Sequence, residues 1–180
     1  MSQFPLFDDN EVTDPLVCSV FDEVRTELGF GIVPNLFKSM ATSPQFLAGQ
    51  WHQFRTTVLQ GQLPRTLKEM IGVVISQANQ SEYALKVHLH SLSALGISEE
   101  VLRLLVADFE HCPLPSRQKA AIRFGLQCAV QPQTLTAAEF TQLRQVGMTD
   151  VEIFEIIATA NLFLGVNHYT DAIALEIDQL

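Results

Sequence analysis

The sequence predicts an all-α fold on three observations. Apolar residues recur at steps of three and four along most of the chain, and no stretch alternates with period two for long enough to make a strand. A helical unit also repeats at an offset of fifty-one residues: LPRTLKEMIGVVI at 63–75 overlays LPSRQKAAIRFGL at 114–126, and GISEE at 96–100 overlays GMTDV at 147–151. Two copies of a helical hairpin with its following helix, behind an N-terminal helical extension, account for the pattern. At 180 residues the chain suits one domain over 1–180, with the arm and first helices at 1–62, the first repeat at 63–113 and the second at 114–180.

Residues 1–13 read as an extended arm that Phe4, Leu6 and Phe7 pin to the body. Asp14-Pro15 opens a helix by side-chain capping and a pre-set φ, and Val17, Val20, Phe21, Val24 and Leu28 give it one apolar face. Gly29 and Gly31 end it. Val33-Pro34-Asn35 leads into a short helix carrying Leu36 and Phe37, and Ser43-Pro44 opens a longer one that stops at Gly61.

The first repeat supplies the most strongly patterned stretch. Leu67, Met70, Ile71, Val74, Ile75 and Ala78 form the stripe of a core-facing helix, which starts at Pro64 and breaks over 77–82. Ser81 is placed to cap the next helix, along which Ser81, Ala84 and His88 share a face. Gly96 ends that helix and Ser98 caps another, over 101–107. The second repeat predicts a helix from Ser116 to about Val130, then capping boxes at Thr136–Glu139 and Thr149–Glu152. The run 151–178 is long for one globular helix, so a break or kink is expected near Gly165.

Composition narrows the function. A formal net charge of −9 argues against nucleic acid and anionic membrane as partners, since both need a basic face. The N-terminal MSQFPLFDDNEV lacks the apolar core of a signal peptide, and the greasiest stretch, 153–166, is too short to span a bilayer, so a cytoplasmic protein is expected. Apolar residues make up 47% of the chain and charged ones only 17%, which predicts that some apolar surface meets another subunit. Cys18, Cys112 and Cys128 are odd in number and far apart, neither a disulfide framework nor a zinc site. No motif calls for a metal, haem or nucleotide cofactor.

Glu69, Ser81, Ala84 and His88 carry a resemblance. Glu, twelve residues on a Cys, three on a second Cys and four on a His is the motif of the alkyl hydroperoxidase D (AhpD)-like family, within the carboxymuconolactone decarboxylase superfamily. The chain keeps the spacing without a gap, and Glu82-Tyr83 is a common filling between the two cysteines. The likeness runs from Phe4-Pro5 through Val33-Pro34-Asn35 and Leu63-Pro64-Arg65 to Asn167, at the length of the "peroxidase-related" branch. It implies a homo-oligomer, trimer or hexamer. It also implies a thiolate at a helix N-terminus that attacks peroxide, a second thiol that closes the disulfide, and a Glu and a His that move protons.

The departure matters as much as the match, because both cysteine positions hold residues without a thiol, Ser81 and Ala84. A serine hydroxyl stays protonated near neutrality and forms no disulfide. The second repeat sets Ala120 against Glu69 and Glu139 against His88, so the fold itself does not require that pair. Lys86-Val87-His88 also resembles the Lys-x-His context of the decarboxylases, which lack the cysteine pair. Cys128 reads as a small core residue and Cys112 as a loop thiol beside His111; Tyr83 is a weak candidate donor, and Asn167-His168-Tyr169 reads as helix surface or interface.

Three functions stay open: a thiol peroxidase, which positions 81 and 84 oppose; a cofactor-free acid–base enzyme using His88 and Glu69 on a small organic acid or lactone-like ligand; and a non-catalytic binding or scaffold protein that keeps the pair as a buried relic. Loss of the thiols tips the balance slightly towards the relic.

Overall fold

From Leu67 to Ser76 every residue is buried, a helix enclosed on all sides, and the other elements are arranged around it. The structure, a computed structural model, describes residues 2–8 and 10–179; Met1, Asp9 and Leu180 lie outside the described residues. Among those described, nine α-helices and no strands are present: α1 Pro15–Glu27, α2 Asn35–Met40, α3 Pro44–Phe54, α4 Arg65–Asn79, α5 Glu82–Ala94, α6 Glu99–Asp108, α7 Ser116–Val130, α8 Ala137–Gln145 and α9 Asp150–Ala172. A π-helical turn, Arg55–Leu59, extends α3.

The enclosed helix is α4, packed against α5, α7 and α9. Its burial extends beyond the predicted stripe to Lys68, Glu69, Gly72 and Ser76, while Ala78 at its end is exposed. Lys68 is tolerated inside because its ammonium donates to the Gln60 carbonyl at 2.5 Å and pairs with Glu155 at 3.2 Å. The same Glu155 carboxylate accepts the backbone N–H groups of Gln62 and Leu63, fixing the loop into α4.

The repeat survives in the helices. The offset of fifty-one carries both ends of α4 onto those of α7 and the start of α6 onto the start of α9. Both predicted capping boxes, at Thr136 and Thr149, are formed. Two apolar cores result, one among α4 to α8 and the first half of α9, the other joining α1 to α3 to the second half of α9 and to Tyr83. The face shared by α4 and α5 lies at the seam between them.

Three expectations are corrected. No break occurs at Gly165: α9 continues to Ala172, because its flanks are clamped by buried Leu162, Phe163 and Val166, against a glycine penalty of only about 1 kcal/mol. Ser81 occupies the N-cap position of α5 but its hydroxyl does not cap; it turns to Asp171 on α9, at 2.8 Å. Asn167 is not surface but fully buried, its amide oxygen accepting from Ser76 Oγ at 3.3 Å. Of the arm residues, Leu6 packs on the second core while Phe4 stays exposed.

Candidate functional site

Glu69 lies one turn inside the start of α4 and His88 in the middle of α5. The two helices are antiparallel neighbours because a two-residue connection, Gln80-Ser81, with Gln80 in the left-handed conformation at φ 58°, turns the chain back. The His88 ring can lie flat against α4 only because position 72 is glycine. A β-carbon there would stand 2.6 Å from His88 Cε1 and 2.7 Å from Nε2, inside any van der Waals contact. Phe163 of α9 closes the ring from another side, its centroid 4.3 Å away and nearly edge-on.

In that position His88 Nδ1 is 2.7 Å from Glu69 Oε2. The other carboxylate oxygen, Oε1, accepts from Ser91 Oγ at 2.8 Å and from Arg65 Nε at 3.2 Å. Arg65 is fixed in turn: Nη1 donates to the Leu28 carbonyl at 2.9 Å and Nη2 to Ser91 Oγ at 3.3 Å. Burial on its own would raise the Glu69 carboxyl, and it is the largest single influence. The His88 hydrogen bond and charge, the Arg65 charge and the Ser91 hydrogen bond together outweigh it and hold the carboxyl below the usual carboxylate range. A carboxylate that accepts from Nδ1–H leaves Nε2 as the imidazole's lone-pair nitrogen. Among the described residues none hydrogen-bonds to Nε2.

The group borders a cavity walled mainly by apolar side chains, among them Phe30, Leu36, Val87, Phe163 and Val166, with Ala84 and Tyr83 also in its lining. Its free volume is about 30 Å³, room for one or two waters. The structure thus gathers Glu69, His88, Ala84 and Tyr83 around one space, and leaves Ser81 outside it. Tyr83 is not a free donor: its hydroxyl donates to Asp178 Oδ2 at 2.6 Å and accepts the Leu36 N–H at 3.0 Å. Burial, then the Asp178 charge and hydrogen bond, push that phenol well above its usual value, with only the Leu36 N–H opposing.

The cysteines lie elsewhere. Cys128 and Cys112 belong to the core on the far side of α4, and neither lines the cavity. Burial pushes the Cys128 thiol up to about 11 and raises Cys112 as well. His111 does not activate Cys112, because its exposed ring turns to Asp108 at 2.6 Å. Among the described residues no three His, Cys, Asp or Glu side chains gather as a metal site, and no helix is long and apolar enough to cross a membrane. Arg65 and Ser91 escaped the sequence reading, although their spacing carried a signal: Arg65 is one turn before Glu69, and Ser91 three residues after His88, on the faces already singled out.

Residues 46–109 match the model of the carboxymuconolactone decarboxylase family. Among solved structures, the chain is similar to the alkylhydroperoxidase AhpD core of an uncharacterized peroxidase-related protein from Ralstonia eutropha JMP134. The two are 25% identical over 99% of this chain and 93% of that one, with a TM-score of 0.89. A peroxidase-related protein from Silicibacter sp. TM1040 is 24% identical over 99% and 92%, with a TM-score of 0.86. The debrominase Bmp8, in complex with 2,3,4-tribromopyrrole, shares the fold at a TM-score of 0.78, with 20% identity over 92% and 87%. No functionally curated protein matches the chain.

Proposed function

We propose that the chain, whose residues 46–109 match the carboxymuconolactone decarboxylase family and whose fold is that of the AhpD-like proteins, is a member of that superfamily, runs proton-transfer chemistry without a cofactor and is not a thiol peroxidase. His88 is the base and Glu69 its orienting partner. One observation carries this reading: Glu69 Oε2 sits 2.7 Å from Nδ1 while Nε2 has no partner among the described residues, and the ring lines a cavity. Arg65 and Ser91 hold the carboxylate in place, so that the imidazolium formed on proton uptake is met by a fixed negative charge.

Peroxide reduction through a disulfide needs two thiols at one site. Position 84 is alanine, Ser81 is committed to Asp171, and burial keeps Cys112 and Cys128 protonated away from the cavity. Turnover of peroxide with a dithiol donor is therefore expected near background, in the wild type as in Cys112→Ser and Cys128→Ser. Robust turnover that either variant abolishes would overturn this. The same reading includes homo-oligomeric assembly, trimer or hexamer, supported by Val151 and Phe154, one turn apart and exposed on α9. It also includes a cytoplasmic location, supported by three free cysteines.

A non-catalytic protein is the competing reading, and the small free volume favours it. Thermal melts paired with a broad ligand screen separate the two. A working base predicts that His88→Gln loses the ligand responses of the wild type, and ~10²–10⁴-fold in any rate found, with a small melting shift. A relic predicts no wild-type responses and a loss of roughly 1–3 kcal/mol in stability.

A further inference from the structure

The charges and walls of the cavity select the molecules that fit it. Building on the acid–base reading of His88, we infer that the substrate is an uncharged, ring-sized apolar molecule bearing one weakly acidic O–H or N–H, and that Phe30 swings aside to admit it.

The charge count comes first. Arg65 is the cation at the cavity, and it is bound to Glu69, to Ser91 and to the Leu28 carbonyl. One positive guanidinium and one negative carboxylate cancel, so the site with neutral imidazole has no net charge to offer an anion. A carboxylate entering would lose its hydration and find apolar walls, Phe163 and Val87 among them. A neutral acid meets the opposite situation. Its X–H donates to His88 Nε2; on transfer the X–H electron pair stays on X, the proton moves to Nε2, and the imidazolium lies between X⁻ and Glu69. The total charge of the pocket does not change during the step.

Phe30 follows from the volume. About 30 Å³ holds a water or two and no ring, so a wall has to move. Most of the walls belong to packed helices. Phe30 belongs to the connection between α1 and α2, where residues 29–33 form no backbone–backbone hydrogen bond with another described residue. It stands between Gly29 at φ 89° and Gly31 at φ 71°, conformations that glycine adopts without strain. Its half-buried ring lies at the edge of the second core and edge-on against His90, 5.2 Å between centroids; swinging outwards gives up these contacts and no hydrogen bond.

Three probes of similar size test this: phenol, toluene and benzoate, titrated at neutral pH into labelled protein, with the His88 ring signals followed by NMR. Phenol is expected to saturate and to shift Nε2, to bind at least about tenfold more tightly than benzoate, and to exceed toluene. Phe30→Ala, which opens the wall without touching the hydrogen-bonded group, is expected to tighten phenol several-fold, on the order of one ring's room. Benzoate binding as well as phenol would overturn the inference and leave the base reading standing. Toluene matching phenol with Nε2 unshifted would overturn the base reading, and with it the donor requirement. Absence of any His88 response in both the wild type and Phe30→Ala would overturn the inference outright.

Discussion

Replacing Gly72 with alanine perturbs the site through a single methyl group. That carbon would lie 2.6 to 2.8 Å from three atoms of the His88 ring, against ordinary contact near 3.5–4.0 Å. The ring must therefore move by roughly 1 Å. It has no free direction, because Phe163 stands 4.3 Å away and Glu69 holds Nδ1 at 2.7 Å. A displacement of that size breaks the hydrogen bond or forces α4 and α5 apart. Overpacking of this kind costs about 1–3 kcal/mol, and the better helix propensity of alanine returns about 1 kcal/mol. The expected net loss is roughly 0–2 kcal/mol, a melting shift of up to about 8 °C for a chain of this size. The functional loss should be out of proportion, about 10²-fold in any activity or ligand affinity that uses Nε2. Gly165→Ala is the control. That glycine is exposed in α9 with nothing within 4 Å of its β-position, and the change should stabilise by up to about 1 kcal/mol. Guanidinium denaturation with NMR of the His88 ring reads both effects. An unaltered His88 environment in Gly72→Ala, with stability raised as much as in the control, would refute the close approach.

Two further substitutions probe what holds the site. The Glu69 carboxyl sits below its ordinary value of 4.5, so its contribution to stability is complete above that pH and is lost as pH falls through the lowered folded value. The denaturation midpoint should therefore drop on acidification below about pH 4.5, and less steeply in Glu69→Gln; Glu152 and Glu155, lowered too, keep the slope from vanishing. Parallel acid limbs in the two proteins would count against the assigned charge. Tyr83→Phe removes the bond to Asp178 and leaves the Leu36 N–H buried without its acceptor, so it should cost roughly 1–3 kcal/mol by thermal denaturation; an unchanged melting temperature would mean that the C-terminal tail is not anchored there.

Local signals in the sequence were legible where a few neighbouring residues decide the outcome. Asp14-Pro15, Thr136–Glu139 and Thr149–Glu152 placed helix starts correctly because capping is settled within one turn. The offset of fifty-one aligned α4 with α7, since both present the same Leu-Pro entry and apolar stripe. The spacing from Glu69 to His88 brought the two side chains together because a two-residue turn at Gln80-Ser81 leaves little choice of register. What stayed hidden depends on partners far along the chain. Ser81 looks like a cap until Asp171, ninety residues later, takes its hydroxyl. Asn167 reads as surface in Asn-His-Tyr, yet α4 lies over it. Tyr83 is held by Asp178, and the need for glycine at 72 appears only once the His88 ring lies against it.

The central claim is that Glu69 fixes His88 through Nδ1 and leaves the Nε2 lone pair free for a ligand, and ¹⁵N NMR of the imidazole measures this most directly. The neutral ring is expected as the Nδ1–H tautomer, with Nε2 unprotonated and the proton on Nδ1 in a strong hydrogen bond that disappears in Glu69→Gln. A ring protonated on Nε2, with Nδ1 unaffected by Glu69→Gln, would contradict it.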